Sequence, residues 1–155
     1  MKQSFFEIVE NTPLTKTVYR MRLVGDTSDI TASGQFVNIK LDGLFLRRPI
    51  SVCDVEGDVL TIIYKVVGKG TEQLSKMQNG SLDILSGLGN GYDESLSGDS
   101  PLLIGGGVGV PPLYLLAKRL IAQGKKVSVI LGFNKKEEIS NKLLKKSKMY
   151  DIIDG

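Results

Sequence analysis

The chain has 155 residues, the size of one ordinary domain or of two small ones sharing a boundary, and at 41% hydrophobic and 24% charged it has the profile of a globular protein with a substantial core. It contains no histidine and one cysteine, Cys53, which excludes Ser-His-Asp and Cys-His catalysis, histidine metal sites, an internal disulfide and a cysteine-ligated zinc or iron–sulfur centre. The net charge of +3 is concentrated late in the chain, where Lys135 to Lys148 holds six lysines against Glu137 and Glu138.

Alternation predicts strands through the first hundred residues. Phe5 to Val9 is short and apolar. In Thr15 to Val24, Tyr19, Met21 and Leu23 face one way and Val18, Arg20, Arg22 and Val24 the other. Gln35 to Leu41 sets Val37, Ile39 and Leu41 against Phe36, Asn38 and Lys40. Val59 to Val67 is β-branched, and Ser81 to Ser86 is a further short strand. Asn11-Thr12-Pro13, Gly25-Asp26, Asp42-Gly43, Glu56-Gly57-Asp58 and Asn79-Gly80 read as the turns between them. One helix is expected over Glu72 to Gln78, with Thr71 as its N-cap. Short strands at this spacing suggest an antiparallel barrel or a sandwich.

A glycine-rich stretch, Gly87 to Pro101, then separates two patterns, and a boundary near Gly98 divides the chain into 1–97 and 98–155. Pro101 to Ile104 reads as a buried strand, Gly105 to Gly109 as a glycine loop and Pro111 to Gln123 as an amphipathic helix with Leu115, Leu116, Leu120 and Ile121 inward. Val127 to Leu131 reads as a second buried strand, completing a β-α-β unit. A lysine-rich helix near Lys136 to Lys146 and a Tyr150 to Ile153 strand would extend it. The basic run lacks interleaved aromatics, so a solvated helix face is expected and not a nucleic-acid surface. No stretch is long enough to span a membrane. The N-terminus lacks a signal-peptide pattern, and a lone thiol fits a reducing cytoplasm.

Three segments carry candidate chemistry. Gly105-Gly106-Gly107-Val108-Gly109-Val110-Pro111-Pro112 follows a strand and opens a helix, where glycines allow a pyrophosphate close to the backbone and the helix end supplies N–H donors. It departs from G-x-G-x-x-G, with Pro112 at the third glycine, and it is not a P-loop. A tight turn without a ligand is the competing reading. Arg47-Arg48-Pro49-Ile50-Ser51 offers two guanidinium groups to a diphosphate and a serine to a heterocycle nitrogen, or is simply a basic strand edge. Ile63-Tyr64-Lys65 leads into Gly68-Lys69-Gly70-Thr71, a second strand–turn–helix geometry suited to phosphate.

Taken together these segments resemble the ferredoxin reductase-like superfamily, whose flavin motif is similar to Arg48-Pro49-Ile50-Ser51 and whose nicotinamide motif is similar to Gly105 to Pro112. The closer resemblance is to the electron-transfer subunits of NAD-linked (type B) dihydroorotate dehydrogenase. It is carried by Leu46 to Val52, Thr61 to Val66, Gly68 to Thr71, Leu88-Gly89-Asn90-Gly91-Tyr92 and Leu103 to Leu113. The resemblance implies an all-β, antiparallel Greek-key barrel that binds flavin, followed by a partial, Rossmann-like α/β nucleotide-binding domain. It implies FAD, with Arg48 at the pyrophosphate, Pro49 beside it in the motif, Ile50 near the isoalloxazine and Ser51 near N5. Ile63, Tyr64 and Lys65 would line the flavin, and Gly70 and Thr71 would hold phosphate. Gly105, Gly106, Gly107, Val108 and Gly109 would receive NAD(H). The implied partner is an FMN-containing dihydroorotate dehydrogenase catalytic subunit, and the implied role is transfer of electrons to NAD in pyrimidine biosynthesis. Members also carry a two-iron cluster, for which this chain has no ligands, and they are longer, so the chain reads as C-terminally shortened. A related NAD(P)H–flavin reductase subunit of sulfide, sulfite or ferredoxin type, or a non-catalytic docking scaffold, are the alternatives.

Overall fold

The structure is a computed structural model and describes residues 1–134. Six strands, β1 (Lys2–Pro13), β2 (Val18–Val24), β3 (Phe36–Ile39), β4 (Arg48–Glu56), β5 (Val59–Lys65) and β6 (Ser81–Leu88), close into a barrel in the order β1-β2-β5-β4-β3-β6. Every pair is antiparallel. A closed barrel leaves no unpaired edge. The order is of the Greek-key kind, so the barrel expectation holds over the sandwich.

Alternation built the interior as expected. Met21, Leu23, Val37, Ile39, Leu60, Ile62 and Ile84 are all fully buried in one cluster. The helix α1 (Lys69–Ser75) plugs one end through Leu74, also fully buried.

Two local expectations are corrected. Asn11-Thr12-Pro13 is not a turn: β1 continues to Pro13, and the chain reverses at residues 14–17, where the Leu14 and Thr15 N–H groups both donate to the Val18 carbonyl. Asn11 stays in the strand because its side chain is buried against α1, donating to the carbonyls of Leu74 (2.9 Å) and Met77 (2.8 Å). The second correction is that Thr71 does not cap α1 from outside. Gly68 precedes the helix, and Thr71 lies inside the first turn, its hydroxyl accepting from the Val67 and Gly68 N–H groups.

After β6 the chain crosses to β7 (Leu102–Gly106), α2 (Pro111–Ala122) and β8 (Ser128–Gly132), with β7 and β8 paired in parallel. Both opening prolines of α2 are buried, at positions where a missing N–H costs nothing. Leu103 packs with Leu113, Leu116, Ala117 and Leu120, and Val129 joins them. Ile121 is not inward but 55% exposed. The helix has two partners: its Leu113–Leu116–Leu120 stripe faces the sheet, while Leu115 reaches the barrel core, which leaves Ile121 toward solvent. Nor are the two strands buried on both faces. Leu102, Ile104 and Ile130, pointing away from α2, are exposed. The expected helix near Lys136 to Lys146 and the strand at Tyr150 to Ile153 lie outside the described residues.

Candidate functional site

A cleft of about 640 Å³ separates the barrel from the α/β unit. One wall is Val18 with Ile63, Tyr64 and Lys65 at the end of β5; the other is Gly106, Gly107, Val108, Val110 and Pro111, with Leu131 to Asn134 closing it. The fold thus brings the β5 segment and the glycine loop face to face. The two walls are far apart in the chain and meet because α2 lies against β4.

Within the first wall the side chains alternate. Tyr64 turns inward, stacks on Tyr19 with ring centroids 5.9 Å apart, and its hydroxyl donates to Asn11 Oδ1 at 2.9 Å. Burial pushes that hydroxyl up to about 12. Tyr64 therefore forms the floor of the wall with its hydroxyl turned away, while Ile63 and Lys65 lie on the opposite face of β5.

The glycines of the loop serve different ends. Gly105 lies in β7 under the helix: a Cβ there would stand 2.5 Å from Leu113 Cδ1. Gly107 takes a left-handed φ of 52° that other residues resist. A Cβ on Gly107 or Gly109 would meet nothing within 4 Å. The loop is therefore open at Gly107 and Gly109 and closed at Gly105. Gly105 and Gly109 flank the cleft without lining it.

Arg48, Pro49, Ile50, Ser51, Gly70 and Thr71 do not line this cleft; of these, Arg48 meets α1 at Gly70, while Pro49, Ile50 and Ser51 continue along β4. The arginine pair is split as the chain enters β4. Arg47 is committed to the barrel, its Nη2 3.0 Å from Asp83 Oδ1 and its Nη1 donating to the Asp83 and Asn38 carbonyls. Arg48 lies flat over Gly70, so closely that a Cβ on Gly70 would collide with its Nε, and its Nη1 donates to the Leu46 carbonyl. Pro49 is exposed, Ser51 is half-buried, and Ile50 packs against the barrel core opposite Val37. The Thr71 hydroxyl is spent locally: it takes two N–H donors and gives its proton to the Gly68 carbonyl at 3.1 Å. It clasps the turn.

Two features had no sequence signal. The first is the buried Asn11–Tyr64 pair, which ties α1 to the floor of the cleft. The second is a bulge at Cys53. Val52 pairs with Ile62 and Asp54 with Thr61, so Cys53 is an extra residue in the ladder. The thiol is buried, which, with the Asp54 charge beside it, pushes it up to about 12. Asp54 meets Lys118 of α2. Among the described residues no cluster of acidic or cysteine side chains is placed to hold a metal ion, and no helix is long and apolar enough to cross a membrane.

No protein-family model matches the chain. The "Dihydroorotate dehydrogenase B (NAD(+)), electron transfer subunit" of Bacillus pumilus is 44% identical over 90% of this chain and 57% of that protein. The subunit of the same name from Fusobacterium nucleatum is 42% identical with the same coverage. The chain therefore spans a little over half the length of these curated relatives. Among solved structures, an NADH-dependent reduced ferredoxin-NADP oxidoreductase superposes with a TM-score of 0.77 at 32% identity, covering 87% of this chain and 50% of that one. A ferredoxin NADP+ reductase from Neisseria gonorrhoeae with bound FAD and NADP superposes with a TM-score of 0.79 over 97% of this chain and 67% of that one; at 19% identity it shows the fold alone. Over nine tenths of its own length the chain is thus a relative of the dihydroorotate dehydrogenase B electron-transfer subunits, built on the fold of the ferredoxin reductase-like flavoproteins.

Proposed function

We propose that this chain holds FAD on its barrel and relays electrons between an FMN-containing dihydroorotate dehydrogenase subunit and NAD, in pyrimidine biosynthesis. One observation carries the reading: the cleft sets Ile63 to Lys65 against Gly106 to Val108, so a flavin held on the first wall would face a nicotinamide received on the second.

The residues present fit the flavin. Gly70 leaves room for the Arg48 guanidinium where any Cβ would displace it, which keeps one cation at the start of α1. A diphosphate there gains a charge-assisted pair. Ile63 offers an apolar surface and Lys65 a cation at the cleft, while Ser51 lies on the strand that carries Arg48. Gly107 leaves the second wall, and Gly109 the loop beside it, open to backbone approach by a pyrophosphate. FAD, when bound, would supply the redox chemistry, exchanging hydride with the nicotinamide and electrons with the partner. The protein's part is to hold the two rings together and exclude water between them. A two-iron cluster does not fit these residues, because the single cysteine is buried beside Lys118 and Asp54. No step is assigned to one.

The likeness to the ferredoxin-NADP oxidoreductase supports a second reading, a flavin reductase subunit serving another acceptor. The visible absorption of the purified chain, followed by identification of the flavin released on denaturation, tests what the two readings share. A yellow protein that releases FAD is expected. A colourless protein that takes up no added FAD would leave a docking scaffold as the better reading. Co-expression with a dihydroorotate dehydrogenase catalytic subunit separates the two flavin readings: co-elution on gel filtration is expected, and separate elution counts against the dihydroorotate role.

A further inference from the structure

The contact between α2 and the barrel is built on the bulge in β4. An ordinary strand would put Val52 and Asp54 on one face. The extra residue changes this: Val52 lies in the barrel core and the partly buried Val55 packs against it, while Cys53 and Asp54 lie outside that core cluster. A carboxylate is thereby moved out of the barrel and under α2. Lys118 Nζ sits 3.1 Å from both Asp54 oxygens and 2.8 Å from Glu56 Oε1. The Asp54 side chain is only 12% exposed.

The two ends of this contact lead to the two walls of the cleft. Asp54 follows Ser51 on β4, the strand that begins with Arg48 and pairs with β5. Lys118 stands about two turns along α2, the helix that begins where the glycine loop ends. Two other contacts of α2, at Leu115 and Arg119, do not reach the walls of the cleft. Leu115 enters the core through apolar packing, which has no preferred direction. Arg119 donates to the Thr31 carbonyl and pairs with Glu94, away from β4.

We propose that Lys118 is a positioning residue: gripped by Asp54 and Glu56, it sets the distance between the glycine loop on α2 and the Ile63 to Lys65 wall. This rests on the nucleotide reading of the cleft for its consequence, but the spacing itself can be measured without any cofactor. Removing the ammonium leaves the Asp54 carboxylate buried without that cation, and α2 must lift to let water reach it. The directional bonds, not the net stability of a half-exposed pair, fix the position.

The test is a distance between the walls. Val67, just past β5, and Val108, on the loop, are both exposed, and Cys53 is too buried to take a label. Spin labels on V67C/V108C in the full chain should give one narrow distance distribution by pulsed electron resonance. In K118M the distribution should shift or broaden at least about twofold, and K118R should restore it, because guanidinium also bridges carboxylates. A K118M distribution matching the parent overturns the proposal. D54N removes the buried charge and leaves Lys118 an amide oxygen and Glu56 as acceptors; it should broaden the distribution less than K118M does, and a D54N distribution as broad as that of K118M overturns the proposal. Flavin content is recorded on the unlabelled parent chain, so a parent without flavin refutes the proposed function while the distances still judge Lys118. Where the FAD-loaded chain is reduced by NADH, K118M should slow that reduction about tenfold at unchanged flavin content, and an unchanged rate overturns the proposal.

Discussion

Arg48 and Gly70 occupy each other's space. The guanidinium lies where a Cβ on Gly70 would stand, although Gly70 has no left-handed φ and its backbone suits any residue. The glycine is needed for contact and not for conformation. Gly70→Ala should therefore leave the fold intact and push Arg48 off the start of α1. Charge-assisted hydrogen bonds are worth about 1.5–3 kcal/mol, so FAD affinity, measured by fluorescence titration, should fall about tenfold or more. Unchanged affinity would mean that Arg48 does not meet the flavin phosphates.

The buried pair behind the cleft gives a stability prediction. Asn11 satisfies three groups at once: the Tyr64 hydroxyl and the carbonyls of Leu74 and Met77. Asn11→Ala leaves all three without that partner at a site where water is scarce, and should cost about 2–4 kcal/mol in urea unfolding. Tyr64→Phe removes one bond and keeps the ring stacked on Tyr19, so about 1–2 kcal/mol is expected. The double variant should cost less than the sum, because the two residues share a bond. Strict additivity would show that the bond contributes nothing.

How much of this was legible follows from how local each feature is. The period-2 pattern of Met21 and Leu23, or of Val37, Ile39 and Leu41, reports a two-sided strand directly, and these residues are the barrel core. Asn11 misled because a polar residue beside Thr and Pro looks like a turn; its partners are carbonyls of a helix much later in the chain. Arg47 and Arg48 are chemically identical neighbours, and only the register of β4 sends one to Asp83 and the other to Gly70. The Cys53 bulge sits between Val52 and Asp54 with no glycine or proline next to it to mark the extra residue. Ile121 looked inward on a one-faced helix, whereas α2 serves two partners. Local patterns predicted the elements, and partners distant in the chain decided the rest.

Burial of two weak acids makes alkaline stability a readout of the core. Cys53 is raised from 9.0 to about 12 and Tyr64 from 10.0 to about 12, in both cases chiefly by burial. The folded chain keeps protons that the unfolded chain has released. Stability is therefore full below about pH 9 and declines from there toward about pH 12, by up to about 1.4 kcal/mol per pH unit for each group ionised only in the unfolded chain. Urea midpoints at about pH 8 and about pH 10 should fall accordingly. Cys53→Ala should flatten the first part of that decline, where Cys53 alone of the two has begun to ionise in the unfolded chain. A decline of unchanged slope in the variant would mean that the thiol is not the group responsible.

The loop glycines separate a packing role from a ligand role. Gly105 faces Leu113 Cδ1, so Gly105→Ala must push β7 and α2 apart and should cost roughly 1–3 kcal/mol by overpacking. Gly109 is different: its φ is not left-handed, and an added Cβ meets nothing within 4 Å. Gly109→Ala should be neutral or slightly stabilising in the free chain, by up to about 1 kcal/mol, since alanine has fewer unfolded conformations to lose. If the loop receives a pyrophosphate, the same methyl stands between backbone and ligand, and NADH affinity should drop about tenfold or more while the urea midpoint holds. Thermal or urea unfolding paired with NADH titration of both variants decides the matter. Loss of stability in Gly105→Ala together with loss of nucleotide in Gly109→Ala assigns the two roles, whereas a Gly109→Ala chain that binds NADH like the parent would make the open face of the loop an ordinary strand-to-helix turn.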